Sequence, residues 1–489
     1  MKSMPCWTQS TLRSNVLENI IVMTRYYPAL FCSVMLLAGC STHLPDVNAV
    51  KSQLALPAKW RNALPEGKDI KQTQHWWRSF QDPDLDALVE RVLRNNNNLA
   101  AAAYRVKKAE AQAGIVRTNL TPGVSSGFKL SSSKELNRGS SEQKAFTSTF
   151  SLIYELDLWW RLAKARDISA WEAMATREDR EHIAMQLIGT TMELYWRLAF
   201  LNESIEINDT SIASARSILE LARLGESVGQ EGRLQSIQAE QQLSVLLADK
   251  TGRLQQREES RNALLVLLAS PMGWDDTIKI RPVPTQPSTA LRSEIPAHIL
   301  SQRPDMRAAE LRLRAHFSNI EIQQRNLYPA VNLTAGITGG GTRELSNILR
   351  NPVGFFTADL LLPFFEFNKG KLQVEIAEAT YQESIELYKK QLLDALQDVE
   401  NSLSAYKQLT DEGLYLARAH ESSSRAERIA EIRYRLGQSN IKEWLDQQDA
   451  KRSIELRLGK SRTDRLIAMV KFHQSIGGGC GDGCADALR

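Results

Sequence analysis

Two carboxylates are the side chains best placed to do chemistry. Glu443 and Asp446 follow the stretch Arg433-Tyr434-Arg435-Leu436-Gly437-Gln438-Ser439-Asn440 and stand three residues apart, so on a helix they share one face. Gly437 is expected to end the helix before them. Acids in the first turn of the next helix favour its macrodipole. In one chain they are ordinary solvated acids. Copies brought to a common axis by symmetry would repel, raise one another's pKa and favour cations. A related turn, Arg223-Leu224-Gly225-Glu226-Ser227, lies earlier in the chain, and there Gly225 is expected to make the break. Catalysis has no comparable candidates. The seven histidines are scattered, and no zinc spacing, phosphate loop or nucleophile elbow is present. The chain is therefore not read as an enzyme, and no cofactor or metal is expected.

Cys40 is the other chemically distinctive residue. It ends Leu37-Ala38-Gly39-Cys40 after the apolar run Leu30–Leu37, which is too short for a permanent membrane span. The pattern resembles the bacterial lipobox. It implies a signal peptide over residues 1–39 and a mature N-terminal Cys40 carrying S-diacylglycerol and N-palmitoyl chains; the competing reading is an uncleaved anchor. Met23 would begin a compact signal, so translation is expected from Met23 rather than Met1. Ser41 is compatible with the outer membrane. Cys480 and Cys484, in a tail over 477–489, read as part of a flexible terminus, against a disulfide or metal site.

The elements that position these residues follow in order. The net charge of +4 is small for 489 residues, and basic residues alternate with acidic ones, which gives no reason to expect nucleic acid. Residues 40–80 carry prolines and little periodicity and read as a tether, with Trp76, Trp77 and Phe80 as packing anchors. Asp82-Pro83 pairs an N-cap with a first-turn proline, and the helix it starts is expected to run to about Asn119. A strand pattern from Val124 to Leu130 follows, then a second strand with strict alternation. In the second, Phe146, Phe150, Leu152 and Tyr154 face one way and Thr147, Thr149, Ser151 and Glu155 the other.

From Arg161 the period becomes helical. The stripe Ile188, Met192, Tyr195, Leu198, Leu201, Ile205, Ile212, Ala215 and Leu219 predicts a helix of about 90 Å. A second helix, from about Arg233 to Ala269, folds back. After a proline-rich connector (271–303) the pattern repeats: Asn326-Leu327-Tyr328-Pro329-Ala330-Val331 stands 207 residues after Asn119-Leu120-Thr121-Pro122-Gly123-Val124. The halves are 81–270 and 304–476, each with two amphipathic strands and a long hairpin. Four strands would leave two bare edges, which lipid does not tolerate. Three copies give about 12 strands, within the range of outer-membrane barrels. The expected fold is mainly α with a transmembrane β part: a trimeric 12-strand barrel continued by a periplasmic α-helical barrel.

At this point the chain resembles the TolC-family outer-membrane factors, in the lipoprotein branch with OprM-, CusC- and NodT-like proteins. The carriers are the lipobox; Trp76-Trp77, Phe80 and Asp82-Pro83-Asp84-Leu85; Leu156-Asp157-Leu158-Trp159; Arg303-Pro304-Asp305; Leu327-Tyr328-Pro329; Tyr434 with Gly437; and Gly477-Gly478-Gly479. The resemblance implies a homotrimer in outer-membrane lipid. It implies the exit duct of a tripartite efflux system for drugs or toxic organics, working with a periplasmic adaptor and an inner-membrane pump of RND or MFS type. It places the adaptor at tips formed by Arg223, Gly225 and Ser227 and by Arg433, Tyr434, Gly437 and Ser439, and a gate at Glu443 and Asp446. The alternatives are metal-ion efflux, for which the lumen strands offer no Met or Cys cluster, protein secretion, or a coiled-coil lipoprotein without a pore. Two departures from the pattern stand out. Trp160 occupies a position where relatives commonly carry glycine, and the first tip, Gly225 to Gly232, is expected to be one residue longer than the second.

Overall fold

The computed structural model describes residues 60–62, 75–134, 142–229, 232–271, 278–285, 297–341 and 352–478. The expectations for the signal peptide, Cys40, most of the tether and the cysteine tail lie outside these residues.

Helix α1 (Pro83–Asn95) starts where Asp82-Pro83 predicts. One oxygen of the buried Asp82 carboxylate accepts the backbone N–H groups of Asp84 and Leu85. The other accepts the Tyr195 hydroxyl at 2.7 Å, and that hydroxyl accepts the Arg281 N–H at 3.1 Å. The expected single helix to Asn119 is in fact two. At Asn96 the side chain accepts from the N–H groups of Asn98 and Leu99 and starts α2 (Asn97–Thr118), while its amide donates to the Leu267 carbonyl at 2.9 Å. A cap that also docks a distant helix explains a break that periodicity does not reveal.

Strands β1 (Gly123–Ser133), β2 (Gln143–Leu156), β3 (Ala330–Gly341) and β4 (Val353–Leu361) form one antiparallel sheet in the order β1-β2-β3-β4. The register sets Ser125 opposite Ser151 and Thr149 opposite Thr338, and both pairs are hydrogen-bonded through their hydroxyls. Asn332 faces Asp359 and also Glu155, on that same polar face. The other face carries Phe128, Leu130, Phe150, Ile337, Phe356 and Leu360, all exposed. A sheet apolar outward on one face, and lined on the other mainly by hydroxyls with Lys129, Glu155 and Asp359 among them, has the two-sided character of a membrane barrel. Its outer strands β1 and β4 keep unpaired edges among the described residues.

Helix α3 (Arg161–Ser227) has 67 residues, about 100 Å, and every residue of the predicted apolar stripe is buried. It is followed by α4 (Arg233–Leu267), α5 (Pro304–Arg325), α6 (Phe367–Arg435) and α7 (Ile441–Ser475). The repeat is close: α3 and α6 have 67 and 69 residues, and α4 and α7 have 35 each. No helix among the described residues is long and apolar enough to cross a membrane.

The residues just before α1 meet the last turn of α7 at the root of the hairpins. Trp76, Trp77 and Phe80 are buried there, and Trp76 stacks on His473 with centroids 4.9 Å apart. The buried Arg303 donates to the Asp305 carboxylate and to the Ser475 carbonyl at 3.1 Å, tying the start of the second repeat to the end of α7.

Candidate functional site: the hairpin tips

Both hairpins turn by the same device. At the end of α6 the Gly437 N–H donates to the Tyr434 carbonyl (2.9 Å) and the Gln438 N–H to that of Arg433 (2.8 Å), with Gly437 at φ 70°. These bonds satisfy carbonyls that a helix end otherwise leaves bare, and they need a left-handed residue for which glycine has no Cβ penalty. At the end of α3 the residue in that role is Gly229, at φ 75°, whose N–H donates to the Glu226 carbonyl.

This corrects the sequence reading. Gly225 lies inside α3, which continues to Ser227, and the tips are equal in length rather than one residue different: Val228–Gly232 and Leu436–Asn440. Gly229 precedes Gly437 by 208 residues, as Arg233 precedes Ile441. The repeat offset of 207 carried to Gly437 gives residue 230, one from Gly229; matching Gly-Glu-Ser to Gly-Gln-Ser led four residues astray.

The remaining tip residues fall as follows. Arg223 sits a turn above the first bend, 3.6 Å from Glu240. The Ser227 hydroxyl closes its own helix end by donating to the Leu224 carbonyl. Tyr434 packs on Trp444, with centroids 5.4 Å apart, and the Ser439 hydroxyl is buried without a hydrogen bond among the described residues. Beneath the bends, Ile218, Leu219 and Ala222 of α3, Ala239 of α4, Ala430 of α6 and Ile441, Trp444 and Leu445 of α7 form one apolar cluster. The two tips are therefore held as a unit.

Glu443 and Asp446 lie on the first turns of α7, Glu443 half-buried and Asp446 exposed. Asn440 caps this helix through the Glu443 N–H at 3.0 Å. Glu443 accepts from Arg433 across the bend at 2.6 Å, and Asp446 from Lys442 on its own helix at 2.8 Å. Each carboxylate thus already has a cation beside it. The sequence reading named Arg433 for docking and did not foresee that it neutralises the neighbouring acid.

A family model described as outer membrane efflux protein matches residues 88–270 and 295–478. The chain is 30% identical over 482 residues to the pyoverdine export outer membrane protein OpmQ of Pseudomonas putida, covering 94% of this chain and 98% of that protein. It is 26% identical over 408 residues to toxin and drug export protein A of Aggregatibacter actinomycetemcomitans, covering 82% and 88%. Among solved structures, the outer-membrane channel OprN is similar with a TM-score of 0.81 at 23% identity, covering 91% of this chain and 99% of that one. The CmeC outer membrane channel of Campylobacter jejuni gives a TM-score of 0.80 at 20% identity, covering 92% and 98%. The matched residues take in both sheet halves and both folded-back hairpins, and the chain belongs to the outer membrane efflux protein family, which is a family of transport channels.

Proposed function

We propose that this outer-membrane efflux channel is the exit duct of a tripartite system for small organic molecules. Three copies join β4 of one to β1 of the next and close a barrel of about 12 strands. The helices, too polar for lipid, continue the tube into the periplasm. The observation that carries this is the sheet: one apolar face, one polar face, and two edges open among the described residues, running straight into two long hairpins. A lumen lined mainly by hydroxyls, with charges at Lys129, Glu155 and Asp359, suits organic solutes of either sign. The relatives named for pyoverdine and for toxin and drug export agree with that class.

The tips are the docking surface for a periplasmic adaptor, which links the duct to an inner-membrane pump of RND or MFS type. Cys40 carries the lipid that holds each N-terminus to the outer membrane. Glu443 and Asp446 line the closed periplasmic opening, and their pairing with Arg433 and Lys442 lets three copies of each approach the axis with less repulsion than bare acids would show.

Purified protein should migrate as a heat-modifiable trimer and conduct in planar bilayers. A monomer without conductance would leave a structural coiled-coil lipoprotein. For the gate, Glu443→Ala/Asp446→Ala trimers should conduct more and lose cation preference; unchanged values remove the gate from these residues.

A further inference from the structure

The corner between β2 and α3 carries a backbone strain at one residue. Trp160 has φ 63° and ψ 25°, a left-handed conformation in which its Cβ crowds the following carbonyl. The corner does not need a tryptophan to hold that shape. The Asp157 carboxylate accepts the N–H groups of Leu162 and Ala163 at 3.0 and 2.8 Å, the Trp159 indole donates to the Pro329 carbonyl at 2.7 Å, and Arg325 donates to the Trp160 carbonyl at 3.2 Å. Glycine would meet the same demand without strain. Yet Trp160 is 68% exposed, and its ring makes no hydrogen bond or ring contact among the described residues.

Its surroundings say what would use such a ring. The apolar face of β2 ends at Leu156, and the chain then continues through the exposed Leu158 and Trp159, with the exposed Tyr328 packed on Trp159. The outward apolar face therefore passes directly into an aromatic rim, at the end of the sheet where the long helices begin. The rim lies at the foot of β2 and β3, where Trp159 and Tyr328 share a cleft with Leu361 and Pro363 at the end of β4. We propose that Trp160 is a membrane-interface anchor, seating its indole at the headgroup level of the periplasm-facing phospholipid leaflet. An indole suits that zone because its body is apolar and its N–H wants a polar partner. The interaction with lipid offsets the strain of the left-handed tryptophan and fixes how deep the barrel sits. The proposal rests on the outer-membrane channel reading.

The test places a nitroxide on Trp160→Cys, in a Cys480→Ser/Cys484→Ser background, with the trimer reconstituted in phospholipid vesicles. Collision with oxygen and with a water-soluble nickel chelate is compared at Trp160, at mid-sheet Phe150→Cys and at the tip Gln438→Cys. The expected order of oxygen preference is Phe150 above Trp160 above Gln438. A tip-like value at Trp160 means the rim stands in water and overturns the proposal. Low access to both probes means a neighbouring copy covers the ring and overturns it equally. A water-like value at Phe150 would instead overturn the membrane-channel reading. Without a label, quenching of the native fluorescence by phospholipids brominated near the headgroup should fall in Trp160→Gly; no fall speaks against the anchor.

Discussion

Acid should loosen the root of the hairpins through His473. This imidazole is buried, stacked on Trp76 and edged by the rings of Phe80 and Phe472. An ordinary histidine titrates near 6.5; burial in this apolar pocket pushes His473 down to about 4. The sign follows from which state takes the proton first. Above pH 6.5 both folded and unfolded chains are neutral here, and the site costs nothing. As pH falls the unfolded chain is protonated and the folded one resists, so stability is lost between about pH 6.5 and pH 4. Linkage puts the loss at about 2 kcal/mol per chain at pH 5 and about 3 kcal/mol at pH 4. The perturbation is His473→Phe, which keeps a flat ring and removes the titration. Thermal unfolding of the detergent-solubilised protein at pH 7.5 and pH 5 would be followed for both. Carboxylates elsewhere contribute equally to both proteins and cancel in the difference. The wild type should lose about 2 kcal/mol more than His473→Phe over that range. Equal pH dependence would refute the reasoning, because it would mean that His473 finds water or an acceptor when charged.

Other substitutions probe the local geometry. Ala269 ends α4 in the same left-handed turn that Gly477 provides at the end of α7, with φ 51° against 78°; Ala269→Gly should stabilise the fold by about 1 kcal/mol in thermal unfolding. Gly189 lies where α3 meets the Gln474 side chain, whose amide donates to the Met185 carbonyl at 3.1 Å; a Cβ there would come within 1.9 Å of that amide nitrogen. Gly189→Ala should cost about 1 kcal/mol, the worth of the lost hydrogen bond, and should cost little in a Gln474→Ala background. Asp82→Ala removes a cap and the partner of the Tyr195 hydroxyl together and should cost about 2 kcal/mol, with Asp82→Asn recovering part of it.

What the sequence alone determined is local in origin. Strand patterns, alternating at period two in three of the four, placed the sheet and its faces, and helical spacing placed the buried stripe of α3. These patterns are legible because each residue's face follows from its neighbours in the chain. Asp82-Pro83 and Gly437 were equally plain, since cap and turn act within a few residues. The tertiary structure decided the rest. It chose Gly229 over Gly225, because the bend must fall where α4 can return against α3 in step with α7 against α6. It broke a regular helical pattern at Asn96, whose amide is held by Leu267 from far along the chain. It set Arg433 against Glu443 across the tip. It also kept Trp160 in a left-handed corner, fixed by Asp157 beside it and by Arg325 from the other repeat. In each case the deciding contact comes from packing or from a partner distant in sequence, and no local pattern records it.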